Sequence, residues 1–149
     1  APRSAGKATP AAKAPEAPAA EKKGSPAEAE ALVAAGRQKL QGGDVAAAAA
    51  SFAKAREMDP RSAEALAGLG EVAFEQGNWD EAVAHLRKAV KQSPRRTAYQ
   101  VLLGQSLYKL GRYQEAADVC RRALKQDPSL REAQQTLDLA EQKLSSSAD

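Results

Sequence analysis

The chain carries one cysteine and one histidine in 149 residues. One cysteine closes no internal disulfide, and Cys120 with His85 is too small a set for a metal centre, which needs several such ligands. Both are read as structural, Cys120 as a small core hydrophobe and His85 as half-exposed. Aromatic side chains make up only 4% of the sequence. That excludes a thick globular core and favours thin layers of packed helices filled by Leu, Val and Ala. No run approaches the ~20 apolar residues that span a bilayer, and the first residues hold no apolar stretch of the secretory-signal kind. The chain does not begin with Met, so it is read as a piece, or the mature part, of something longer, with any upstream signal or anchor outside it. Walker A, nucleophile-elbow and EF-hand runs are missing as well. Gly68-Leu69-Gly70-Glu71-Val72-Ala73 spells a G-x-G-x-x-A fingerprint, but that motif needs a strand and a loop, and this one lies within a helical pattern. The expectation is a non-enzyme with no cofactor and no metal. A reducing, cytoplasmic setting suits a lone thiol.

What is abundant is Ala with Lys, Arg, Glu and Gln, a helix-forming mixture. Its distribution is uneven. Five of the eight prolines fall within residues 1–26. The same stretch holds Arg3, Lys7, Lys13, Lys22 and Lys23 against Glu16 and Glu21, a net of +3 that equals the whole chain's +3. The basic character therefore belongs to the tail. Residues 1–24 hold almost nothing apolar but alanine and read as a disordered, proline-stiffened linker. Order is expected from Ser25-Pro26-Ala27-Glu28, where an N-cap serine, a first-turn proline and a glutamate three residues on make a capping box. The Ala/Pro/Arg/Gly bias points to a GC-rich bacterial source.

Past the tail the sequence repeats. Pro60, Pro94 and Pro128 are spaced by 34 residues, as are Gly36, Gly70 and Gly104, and Gly43, Gly77 and Gly111. Ala48, Ala82 and Ala116 share the period, and so do Ala55, Ala89 and Ala123. A period of this length marks a helical-hairpin array. Each proline ends a unit, because it lacks an N–H and disfavours helix in the residue before it. The glycines at 43, 77 and 111 fall where one helix must stop and the chain turn. Asp44 and Asn78 follow as N-caps, Asn78-Trp79-Asp80-Glu81 reading as a second capping box; Arg112 is a weaker cap at that place.

These residues resemble the tetratricopeptide repeats, best over 63–94 (AEALAGLGEVAFEQGNWDEAVAHLRKAVKQSP) and nearly as well over 97–128, through Leu103-Gly104, Tyr108, Gly111-Arg112-Tyr113, Glu115-Ala116 and Ala123. Residues 29–60 match with an alanine-rich second helix. Leu32, Leu66 and Gln100 stand where the family places tryptophan. The resemblance implies an all-α, right-handed α-solenoid: three helix-turn-helix pairs at 29–62, 63–96 and 97–130, within a domain over 25–145. A seventh, capping helix over 131–145 has an apolar stripe of Leu137, Ala140 and Leu144. Residues 146–149 are expected to be a disordered end.

The resemblance also implies a job, binding a peptide or amphipathic helix of another protein on the concave face made by the first helix of each pair. Mapped onto this chain, that groove is Val33, Arg37 and Leu40, then Glu71 and Phe74, then Val101, Gln105 and Tyr108. Leu40, Phe74 and Tyr108 share one column and form either a docking ladder or internal helix packing. A chaperone-binding subset of the family clamps acidic C-termini with Lys, Asn and Arg. Of the corresponding residues here, Val33, Arg37, Gly68, Ala98 and Leu102, only Arg37 could hold a carboxylate, which argues against a heat-shock chaperone C-terminus as partner. The alternative function is non-specific binding of nucleic acid or an acidic partner, through the basic tail and a basic outer face of Arg87, Lys88, Lys91, Arg95, Arg96, Arg121, Arg122 and Lys125. Nucleic acid is the weaker reading, because stacking aromatics are few and +3 is a small charge.

A stacked array is only as strong as each repeat and its neighbours. Repeat one, with no repeat before it and an alanine-filled second helix, is expected to open first. Native-state hydrogen exchange should show its amides exchanging faster than those of 63–128; slowest exchange in repeat one would overturn this.

Overall fold

The computed structural model describes residues 24–148. Seven helices follow one another: α1 (Pro26–Gln41), α2 (Val45–Met58), α3 (Ala63–Glu75), α4 (Trp79–Gln92), α5 (Thr97–Lys109), α6 (Tyr113–Gln126) and α7 (Arg131–Ser147). No strand occurs among the described residues. The expected all-α solenoid, three hairpins and a closing helix, is the observed architecture. Of the linker expected over 1–24, all but Gly24 lies outside the described residues.

Local chemistry sets the helix ends. The hydroxyl of Ser25 accepts the Glu28 N–H at 3.1 Å, and Pro26 occupies the first turn. Asp44 accepts from Ala47 and Ser62 from Ala65, each at 3.1 Å. Caps of this kind stabilise a helix by about 1 kcal/mol each. Pro60, Pro94 and Pro128 each stand one residue past a helix C-cap, at Asp59, Ser93 and Asp127. Inside the hairpins, Gly43, Gly77 and Gly111 adopt φ of 86°, 76° and 79°. This left-handed geometry lets Asp44, Asn78 and Arg112 donate their N–H back to Lys39, Ala73 and Leu107 at 2.8–2.9 Å, closing each first helix.

Two details differ from expectation. Asn78 makes no side-chain cap bond to α4; its amide turns to Gln76 Oε1 at 3.5 Å. The first turn of α4 instead sets Asp80 and Glu81 against the positive end of the helix dipole. At the other end, α7 runs to Ser147, past the expected boundary at 145. Ser146 and Ser147 donate their hydroxyls to the Gln142 and Lys143 carbonyls, each at 2.9 Å, so the serines serve helical carbonyls within the last turns.

The two helices of each hairpin approach closely at a second glycine column. A Cβ on Gly36 would lie 2.7 Å from Phe52, one on Gly70 2.6 Å from Leu86, and one on Gly104 2.6 Å from Cys120. Phe52, Leu86 and Cys120 are fully buried and themselves 34 residues apart. Between hairpins one more glycine matters, since a Cβ on Gly68 would fall 2.4 Å from the Phe52 ring. One period later the register holds Leu102, packed on the cluster that contains the smaller Leu86. Volume is thus exchanged across the stacking interface, Phe with Gly and then Leu with Leu. At the C-terminal end Ala133, Leu137 and Ala140 of α7 are buried in the same cluster and cover the open face of the third pair.

Changing Gly68→Leu should lower stability by about 1–2 kcal/mol, overpacking at Phe52 outweighing the better helix propensity. Adding Phe52→Leu should restore much of the loss, measured as a double-mutant cycle in urea. Additive losses would show that the two sites do not share one space.

Candidate functional site

The first helices, α1, α3 and α5, turn one face to the inside of the curve, and the start of α7 closes its far end. Glu71, Phe74 and Glu75 of α3, Ala98, Val101, Leu102 and Gln105 of α5, and Ser129, Leu130, Arg131 and Glu132 line a cavity of about 670 Å³ there. Its volume is within the range of pockets that hold small ligands or side-chain anchors. Phe74, Val101, Leu102 and Leu130 are its apolar part. Its charged rim is three carboxylates, Glu71, Glu75 and Glu132, against one guanidinium, Arg131.

Of the expected groove residues, the structure brings Glu71, Phe74, Val101 and Gln105 together around this cavity. Val33 lies apart, buried in the repeat-one core and lining a second cavity of about 540 Å³ with Glu30, Asp59 and Glu64. Leu40 packs on that same repeat-one core. Tyr108 packs on the C-terminal core and against Tyr113, ring centroids 5.3 Å apart. Phe74 likewise meets Trp79 edge-on at 5.0 Å, with Lys109 Nζ 5.7 Å from the indole centroid. Each aromatic at the end of a first helix is therefore braced by the first residue of its own second helix. Within the Leu40, Phe74 and Tyr108 column, only Phe74 also reaches the cavity.

The residues that sequence reasoning missed are Ser129 to Glu132. A signal was available. Glu30, Glu64 and Ala98 stand at one register of the period, and one step further lands on Glu132.

Burial is the main influence on Glu71. It raises the carboxyl above its ordinary range, with Arg37 pulling the other way and Glu75 adding to the rise. Exposed Arg37 thus lies within electrostatic reach of the groove. Elsewhere, burial pushes the Cys120 thiol up to about 11, leaving it protonated and unreactive at neutral pH. Half-buried His85 is held below its ordinary value by burial and by Arg56 and Lys88, against Glu81, and so is neutral at pH 7. No group of three or more His, Cys, Asp or Glu placed to hold a metal occurs among the described residues. No described helix is long and apolar enough to cross a membrane.

Three of the eight basic residues named for the outer face, Arg87, Arg96 and Arg121, form ion pairs. Glu115 is held by Arg87 at 2.7 Å and by Arg112 at 2.8 Å, while Arg121 reaches Asp118 at 3.2 Å and Glu141 at 3.5 Å. Arg96 pairs with Glu64 at 3.2 Å. These half-exposed pairs are weak in water, and they offset part of the charge that a docking surface would present.

The tetratricopeptide repeat profile matches residues 33–97 and 73–131. The chain belongs to the tetratricopeptide repeat family. No curated protein sequence matches this tetratricopeptide repeat chain. Solved structures do. The first such domain of Spaghetti (RPAP3), bound to the HSP90 peptide SRMEEVD, is 21% identical at a TM-score of 0.77, over 80% of this chain and 94% of that one. The Sgt2 domain of Aspergillus fumigatus is 14% identical at a TM-score of 0.77, over 87% and 85%. Both likenesses are of fold. They give this chain no chaperone partner, and they lend no support to the expectation that it lacks one. A mutant O-GlcNAc transferase of Thermobaculum terrenum is 29% identical at a TM-score of 0.72, over 76% of this chain but 22% of that one.

The shift at Glu71 has a direct consequence for stability. A folded-state value above the unfolded one adds stability that is complete below the unfolded value and is lost as pH rises through the raised value. At neutral pH the ionised carboxylate is therefore a cost. Glu71→Gln should raise Tm at pH 7, with the advantage shrinking as the medium is acidified through the carboxylate range. An equal Tm difference at every pH would contradict the burial account.

Proposed function

We propose that this chain is a protein-interaction adaptor that holds a peptide or an amphipathic helix of a partner in its concave groove. The observation that carries the reading is the cavity between α3, α5 and the start of α7. It has an apolar floor of Phe74, Val101, Leu102 and Leu130 and a charged rim. A side-chain anchor in such a pocket, with polar groups around it, is how a small interface reaches useful affinity. The RPAP3 domain bound to an HSP90 peptide has the same fold and supports peptide binding as the kind of work proposed. Arg37, Leu40 and Tyr108 then extend the contact along the curve, and Val33 underlies it. The ion pairs of Arg87 and Arg121 offset part of the outer-face charge, which favours the groove over an acidic partner docked outside. In this reading the segment at 1–24 is a linker within a larger, bacterial, cytoplasmic protein, and it raises the local concentration of whatever the repeats bind. The work is recruitment rather than catalysis.

Affinity capture from the native extract tests this, with residues 1–149 as bait beside variants Phe74→Glu and Leu102→Glu checked for helicity by circular dichroism. A protein retained by the wild type and lost by both variants is the expected outcome. The same proteins on all three baits would place recognition elsewhere.

A further inference from the structure

We infer that the groove selects a cationic segment with a large apolar anchor, carried by another protein; this rests on the groove reading above and narrows it to one partner chemistry. The cavity rim has a strong sign. In its lining Glu71, Glu75 and Glu132 stand against Arg131, with Arg37 acting on Glu71 from outside the lining. The second cavity, along the same inner face, is lined by Glu30, Asp59 and Glu64 with no Lys or Arg. Glu64 is answered there by Arg96 at 3.2 Å, so the sharper preference lies at the first cavity. Glu30, Glu64 and Glu132 share one register of the repeat, with Ala98 standing there in repeat three.

Desolvation adds to the argument. Glu71 is half-buried beside Glu75, and burial already disfavours its ionised form. A Lys or Arg brought into the cavity compensates that cost, whereas a carboxylate increases it. Charge complementarity of this kind excludes wrong partners by repulsion as well as attracting right ones. The apolar floor asks for more than charge. Residues 1–23 of this chain are basic, but their only apolar side chains are Ala and Pro. Such a segment satisfies the rim without filling a cavity of about 670 Å³. The occupant is therefore a segment of another protein that offers Leu, Ile, Met or an aromatic next to Lys or Arg.

The test is selection from a display library of short random peptides on the full chain, followed by affinity measurement on two variants. In the first, Glu71, Glu75 and Glu132 are all changed to Gln, which leaves the core side chains in place. The second is Leu102→Glu. Expected are cationic peptides with an apolar anchor. They should bind about tenfold or more weakly to the triple-Gln chain, lose binding to Leu102→Glu, and weaken with added salt. Acidic or neutral peptides that still lose binding to Leu102→Glu would overturn the charge inference while leaving the groove as the site. Peptides indifferent to both variants, or no enrichment, would overturn both. A synthetic peptide of residues 1–23 that displaces the selected peptides and depends equally on the three glutamates would make the chain's own segment the occupant, and overturn the external partner.

Discussion

Two helices can pack this closely only if one of them presents no side chain at the crossing, and everything else in the array follows from that contact. Gly36, Gly70 and Gly104 present bare backbone to Phe52, Leu86 and Cys120, at distances that leave no space for a methyl group. The close approach makes each hairpin a thin layer, which is why a chain with 4% aromatics can fill its interior with alanine and a few larger residues. The facing residue shrinks along the chain from Phe to Leu to Cys. The stacking register changes with it, from Gly68 to Leu102 to the buried Thr136.

Stacking layers of one design has an electrostatic result as well. A register that is acidic in one repeat is placed beside the same register of the next, as with Glu30 and Glu64, before Ala98 interrupts it and Glu132 resumes it. On the outer face the same stacking does the reverse. Arg87 of one hairpin meets Glu115 of the next, and Arg121 of the third meets Glu141 of α7, so opposite charges cancel between layers. On the inner side Glu64 is likewise met by Arg96 of the next hairpin, whereas Glu71, Glu75 and Glu132 line the cavity with Arg131. Charge is thereby sorted into an acidic inside, a paired outside and a basic leading segment, although residues 27–149 sum to zero.

The fold was legible for a plain reason. Turns and close approaches require particular backbones, and those requirements recur at a fixed spacing that no side-chain rotamer can alter. The proline stops, the left-handed glycines and the cap at Asp44 are local chemistry and sit where the period places them, while the cap at Ser25 is local chemistry off the period. Local reasoning failed where two local options compete. Asn78 has the backbone of an N-cap, yet its amide turns to Gln76. The serines at 146 and 147 read as an unstructured end, yet their hydroxyls serve helical carbonyls.

The candidate site divides in the same way. Periodicity alone determined which positions share a register, and so that Leu40, Phe74 and Tyr108 are equivalent. It also marked a helical-hairpin array, while the resemblance of its residues to the tetratricopeptide repeats implied the solenoid and its covering helix. What it left open was which of those equivalent positions face open space. That depended on long-range packing: Trp79 and Tyr113 brace two members of the column from the second helices. The turn into α7 brings Leu130 and Glu132 to wall the cavity that only Phe74 of that column reaches. A register is a property of one repeat, whereas exposure belongs to the stack and changes where the stack ends.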